Sequence, residues 1–221
     1  MTAERSPGDS PAVLSLEPDW YSTIFGVYNF AGLFSSGLAA ITLLVVWLRW
    51  RGSLPRRRVT ADHLQDLGSL MVAFTTFWAY LWFCQYMLIW YANLPEETVY
   101  FARRLEGGWE ILFLANLVTS WIVPFLLLLP RSSKRNPRTL VSAAAVILVG
   151  RILDLHLMIV PATTSGGPSF GPWELGALLS TFGLVGVSFM HAFGKAAPVP
   201  LRDPYLTNDT GHAHLGVPDV R

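Results

Sequence analysis

Cysteine is almost absent from this sequence, because Cys84 is the one cysteine among 221 residues. A lone cysteine cannot form a disulfide within the chain, attach a haem through a cysteine pair or hold an iron–sulfur cluster. The sequence also lacks a glycine-rich phosphate-binding loop and a His-Glu-x-x-His zinc motif. We therefore expect the chain to carry no metal of its own.

Charged side chains are also scarce: 14% of the residues are charged, 52% are hydrophobic, and nine are tryptophan. A soluble domain of this composition would have too little polar surface to cover its apolar mass. Five apolar segments approach the ~20 residues that span a hydrocarbon core about 30 Å thick. They are residues 21–48, 67–92, 111–129, 140–160 and 175–193. Backbone groups in lipid need partners within their own segment. The sequence therefore predicts an all-α integral membrane protein, a bundle of about five transmembrane helices.

Basic residues between the apolar segments predict the orientation. Two inter-segment loops carry most of them: Arg49, Arg51, Arg56, Arg57 and Arg58, and then Arg131, Lys134, Arg135 and Arg138. Loops rich in Lys and Arg remain in the cytoplasm. We therefore expect the N-terminus outside and the C-terminus in the cytoplasm.

The segments outside and between the helices are polar. Residues 1–19 lack the pattern of a cleavable signal peptide, and residues 196–221 are typical of a disordered or partner-docked cytoplasmic tail. His212 and His214 in that tail are more typical of an inert pair than of a metal site. A short surface helix is predicted near residues 95–106, because Pro95 stands at its start and two bases, Arg103 and Arg104, stand in its last turn.

Three ionisable residues interrupt the apolar run 140–160: Arg151, Asp154 and His156. Each costs about 2.5–3.5 kcal/mol on insertion scales, so such residues usually face a bundle interior and serve a pathway or a ligand. Arg151 and Asp154 are three positions apart and can form a structural ion pair on one helix face. His156 points to another face, where a histidine can exchange protons at physiological pH or make an interhelical hydrogen bond.

Further polar residues belong to the outer half of the same predicted bundle. Gln85 lies about 12 Å inside the outer end of its helix and needs a hydrogen-bond partner there. Glu110 opens the third apolar segment, Asn116 follows within it, and Glu174 opens the fifth. Together with Asp154 and His156, they predict a hydrated polar recess open to the outside. Interhelical hydrogen bonding is the alternative role for Gln85.

Four motifs carry a resemblance to a known family. They are EPDWYSTIFGVY at 17–28, QYMLIWYANLPEET at 85–98, VPF at 123–125 and RILD at 151–154. The combination resembles the second quinone-binding subunit of bacterial alternative complex III, within the NrfD or polysulfide-reductase superfamily. The resemblance covers residues 17–195 and only the carboxy-terminal of the two helical bundles of such subunits. The other bundle is therefore expected from another chain.

The resemblance implies a non-autonomous subunit of a quinol:cytochrome c or quinol:oxidase oxidoreductase in the bacterial inner membrane. The expected partners are other membrane subunits, a multihaem cytochrome and an iron–sulfur subunit, with no nucleic acid. Quinone or menaquinone is the candidate ligand, while haem and iron–sulfur clusters belong to the partners. Asp154, His156 and Glu110 are then candidate proton-transfer groups. The candidate quinone contacts are Gln85, Asn116, Tyr86 and Trp90.

Two other functions remain open at this point. A haem b subunit would use histidine ligands from two helices, drawn from His63, His156 and His191. A structural anchor would use the charges of Arg151 and Asp154 only to lock helices together.

Overall fold

The computed structural model describes residues 24–52, 59–105, 107–163, 167–168 and 171–195, so the predicted terminal segments 1–19 and 196–221 lie outside the described residues. Within these ranges, five helices are long and apolar enough to cross a membrane. The predicted all-α membrane fold is therefore confirmed. The described chain forms two compact units. Unit 1 contains residues up to Leu44 and those from Ala61 to Ser169, and unit 2 contains Val45–Thr60 and the chain from Phe170.

Eight α-helices and one π-helical turn make up the described chain. In order they are α1 Phe25–Trp50, α2 Ala61–Ala92, α3 Pro95–Leu105, α4 Trp109–Leu117, the π-turn Val118–Ile122, α5 Val123–Leu128, α6 Arg131–Arg135, α7 Pro137–Thr163 and α8 Pro172–Phe193. The surface helix predicted near 95–106 corresponds to α3.

Helix α2 begins six residues before the apolar segment predicted for it. Its first two turns are polar, so hydropathy alone placed the start too late. Those turns bind the short helix α6, which was not predicted: Asp62 forms an ion pair with Arg135, and the Gln65 amide oxygen accepts hydrogen bonds from Arg131 Nε at 3.1 Å and Arg135 Nε at 2.9 Å.

The third predicted segment is one apolar stretch, but a π-turn divides it. Pro124 has no N–H to donate to the Ser120 carbonyl, and its ring would crowd that carbonyl in a regular α-helix. The wider π-turn accommodates the proline, and the Val123 N–H donates to the Val118 carbonyl five residues back. Asn116 and Ser120 both lie buried on the same side of this stretch.

Small residues bring α7 close to the π-turn. A side-chain Cβ at Gly150 would lie 2.9 Å from the backbone nitrogen of Ser120 and 2.5 Å from its hydroxyl oxygen. Leu140, Ala143, Ala144 and Ile147 are buried on the preceding turns of α7. The absence of a side chain at Gly150 therefore sets how closely the two helices approach.

In unit 2, local contacts fix the helix ends. Arg49 donates to the Val59 carbonyl at 3.3 Å, and Arg51 lies over the Trp47 ring at 4.6 Å. At the start of α8, the Gly171 N–H donates to Glu174 Oε2 at 2.6 Å. This carboxylate therefore satisfies a backbone donor of the first helical turn.

Gly150→Ala tests the close approach of α7 and the π-turn. The added Cβ has no room, so we expect a loss of about 1–3 kcal/mol in unfolding free energy and a lower melting temperature in detergent. Gly37→Ala is the matched control, because a Cβ there meets nothing within 4 Å and alanine suits a helix better than glycine. Equal melting temperatures for the two variants would contradict the tight contact.

Candidate functional site around Asp154

The Asp154 carboxylate is buried in unit 1, with 2% of the residue exposed. Its Oδ1 accepts a hydrogen bond from the Tyr28 hydroxyl at 2.5 Å and one from Asn116 Nδ2 at 3.0 Å. Its Oδ2 accepts one from Arg151 at 2.5 Å, within an ion pair. Helices α1 and α4 thus each supply one donor, and α7 supplies both the acid and the arginine.

A second set of contacts orients the donors. The Ser120 hydroxyl donates to Asn116 Oδ1 at 2.9 Å, which leaves the Nδ2 of that amide to face Asp154. Arg151 also donates to Asn29 Oδ1 at 3.4 Å. Its guanidinium lies against the backbone of α1 at Gly32, where any side-chain Cβ would collide with it. The ion pair in α7 therefore depends on a glycine in α1.

A cavity of about 30 Å³ adjoins Asp154 beneath α3. Asp154, Asn116, Gln85 and Arg104 supply its polar lining; the apolar and aromatic lining is Tyr28, Trp82, Tyr100, Phe101, Phe113, Leu157 and Met158. That volume is enough for water with several polar partners. It is far below the several hundred Å³ that ordinary small-molecule sites enclose.

A smaller space of about 10 Å³ lies on the other side of Asp154. Ser35, Thr75 and Ser120 line it with their hydroxyl-bearing side chains, and Arg151 and Asp154 line it as well. These residues stand one to three helical turns further from α3 than the lining of the first cavity. Ser35 and Thr75 donate to their own helices at 2.8 Å, so their oxygens remain acceptors. Asp154 thus separates two water-sized spaces.

The other predicted site residues divide into two groups. Gln85 is buried and lines the larger cavity with Asn116 and Asp154. Tyr86 is half-buried and packs edge-on against Phe101, with ring centroids 5.4 Å apart.

Tyr86 is not part of this cavity lining, and three further predicted residues also lie outside it. Trp90 is 65% exposed. Glu110 is exposed, and its carboxylate accepts the Gly108 N–H at 3.1 Å. His156 is buried against the Trp109 ring, with centroids 5.9 Å apart. The structure therefore brings Gln85, Asn116 and Asp154 together at the larger cavity. Trp90, Glu110 and His156 lie outside its lining.

Two residues of the site had no predicted role in it. Tyr28 supplies a short hydrogen bond to Asp154, and its hydroxyl within an apolar helix was the available signal. The sequence predicts Arg104 to be a surface base at the end of α3, yet only 1% of the residue is exposed. Its guanidinium bonds the carbonyls of Leu157 at 2.8 Å, Met158 at 3.2 Å and Tyr100 at 2.7 Å.

Comparison of the sequence with protein-family models gives no match, and comparison with curated proteins gives none either. The family resemblance of the four motifs therefore remains an expectation.

A double-mutant cycle tests the ion pair. Removing one partner leaves a buried charge without compensation, so we expect Arg151→Met alone or Asp154→Leu alone to cost about 3 kcal/mol or more. The double variant should lose less unfolding free energy than the sum of the single variants, because neither charge remains. Thermal unfolding in detergent measures all three. Additive losses would show that the two side chains act independently.

Proposed function

We propose that this chain is a non-autonomous membrane subunit of a respiratory quinol-oxidising electron-transfer complex in the bacterial inner membrane. Its part in the reaction is to accept protons at Asp154 and pass them on. One observation carries the proposal: Asp154, the one acid that lines either of these two water-sized spaces, lies between them in an apolar bundle.

Quinol oxidation releases two electrons and two protons. The electrons go to haem and iron–sulfur groups in partner subunits, whereas the protons need a nearby acceptor and a hydrated exit. Asp154 Oδ1 and Oδ2 are the acceptor atoms, and Tyr28 and Asn116 hold the carboxyl group in position. When a proton neutralises Asp154, the Arg151 guanidinium loses its counter-ion, but Asn29 Oδ1 already accepts a hydrogen bond from it. Arg151 can therefore remain within the bundle during the transfer.

The size of the larger cavity favours the proton role over enclosure of a quinone ring. About 30 Å³ holds water rather than a substituted ring. The quinol-facing surface is then one that a partner membrane chain completes, and Gln85 and Asn116 face it through the cavity. Tyr86 and Trp90 remain candidate contacts on the outer part of α2.

A purely structural role is the second candidate, and the hydrogen bonding of Asp154 favours it. Both carboxylate oxygens already accept bonds from donors on three helices. Such a network stabilises one arrangement of α1, α4 and α7 even without proton transfer. The two roles differ in what a neutral isostere does, since an amide preserves the shape but not the proton acceptor.

The haem b alternative has less geometric support. His63 lies in the first turn of α2, beside Asp62, which pairs with Arg135 just before α7 begins. His156 lies 19 residues into α7, about 28 Å along its axis. These two histidines belong to opposite ends of unit 1 and cannot ligate one haem.

Asp154→Asn in the assembled complex tests the proton role. Without its acceptor, quinol-dependent electron transfer should fall by about 10²-fold, while the tagged chain still purifies with its partners. Asp62→Asn is the matched control, because its exposed ion pair with Arg135 contributes little to stability, and turnover should stay at the wild-type level. Wild-type turnover in an assembled Asp154→Asn complex would favour the structural role instead. Purification of the tagged chain without haem and iron–sulfur proteins would contradict the proposed complex.

A further inference from the structure

Helix α3 covers the larger cavity and is held there by two side chains. Phe101 is buried and packs against the rings of Tyr86 and Phe113, with centroids 5.4 and 5.9 Å away. Arg104 reaches across to α7, and its guanidinium also lies 3.5 Å from the Tyr100 ring centroid. One anchor is thus apolar and the other is a set of hydrogen bonds to backbone carbonyls.

One of the carbonyls that Arg104 binds, that of Leu157, is left without its helical donor by a proline. Pro161 lies inside α7 and has no N–H, so the Leu157 carbonyl four residues earlier lacks its helical donor. Arg104 Nε donates to that oxygen at 2.8 Å, and a terminal guanidinium nitrogen donates to the next carbonyl, Met158, at 3.2 Å. A buried carbonyl without a donor is costly. The contact therefore satisfies α7 and holds α3 at the same time.

Both ends of α3 carry backbone conformations typical of sharp turns. Asn93, two residues before the helix, has φ 48°, and Gly107 and Gly108 after it have φ 67° and 90°. Asn and Gly adopt this left-handed region with little strain. A helix of 11 residues between such points can swing as one body when a few terminal dihedral angles change.

We propose that α3 is a lid over the Asp154 cavity and that Arg104 is its latch. Arg104 holds the lid closed through its hydrogen bond to the Leu157 carbonyl, which Pro161 leaves without a helical donor. When the latch is closed, α3 separates the cavity from water on its side of the bundle. When it opens, water and small polar solutes reach Asp154. Arg104 is thus a positioning residue, and the lid controls access whatever molecule the complex oxidises.

A static role for Arg104 makes a different prediction. If Arg104 only supplies the donor that Pro161 removed, then restoring a backbone N–H at position 161 should make Arg104 dispensable in every respect. If Arg104 is a latch, the restored N–H should repair α7 but leave α3 free. If the role is static, Pro161→Ala restores both the stability of the chain and the closed cavity in an Arg104 variant. If Arg104 is a latch, Pro161→Ala restores stability while the cavity stays accessible.

The experiment measures access with a thiol in the cavity. In a Cys84→Ser background, Met158→Cys places the thiol on the cavity lining without changing the backbone carbonyl that Arg104 binds. The full chain in lipid nanodiscs is treated with a charged, membrane-impermeant methanethiosulfonate, and the rate of thiol modification is measured. The same rate is then measured in two variants of this chain, one with Arg104→Gln and one with both Arg104→Gln and Pro161→Ala. In the control series, Tyr91→Cys replaces Met158→Cys, because Tyr91 is 86% exposed.

Arg104→Gln should raise the modification rate at position 158 by about tenfold or more, since it removes charged hydrogen bonds that oppose local opening. It should leave the rate at position 91 unchanged. Adding Pro161→Ala should recover most of the lost melting temperature while the rate at position 158 stays high. A wild-type rate in the double variant, or no increase with Arg104→Gln, would overturn the latch. If Arg104→Gln alone does not fold, the double variant provides the same comparison.

Discussion

A carboxylate within an apolar helix bundle must have its charge and its lone pairs satisfied by the protein itself. Asp154 meets this requirement with a guanidinium from its own helix, a phenol from α1 and an amide from α4. Two of these donors depend in turn on a neighbour that orients the donor or leaves space for it. Ser120 turns the Asn116 amide, and Gly32 leaves space for Arg151. The hydrogen bonds of this one carboxylate therefore link α1, α4 and α7.

Prolines within helices impose the other main constraint, because each lacks a backbone N–H. The structure accommodates the two prolines in different ways. At Pro124 the helix widens into a π-turn, so the backbone adapts locally. At Pro161 the helix remains regular, and a side chain from another helix supplies the missing donor. The first solution places Ser120 and Asn116 beside Asp154, while the second ties α3 to α7. Both changes in helical hydrogen bonding therefore lie next to the candidate site, where such changes are often found.

Some of this structure could be predicted from the sequence because it depends on local spacing. Apolar segment lengths predict the five long helices, and a separation of three residues predicts contact between Arg151 and Asp154. The early start of α2 could not be seen from hydropathy, because its first turns are polar and pair with α6. The π-turn, Tyr28 and Arg104 depend on tertiary contacts. Arg104 in particular has the sequence features of a solvated helix end, and only the proline four positions after Leu157 hints at its burial.

The bond between Tyr28 and Asp154 joins residues 126 positions apart in the chain. At about 5–20 residues per second, ribosomes need roughly 6–25 s to synthesise the segment between them. Throughout that interval, α1 lies in or at the membrane with polar groups whose final partner does not yet exist. Biogenesis of this bundle is therefore delayed until α7 emerges. During that time α1 depends on the insertion machinery, on water or on a companion subunit to shield its phenol and amide.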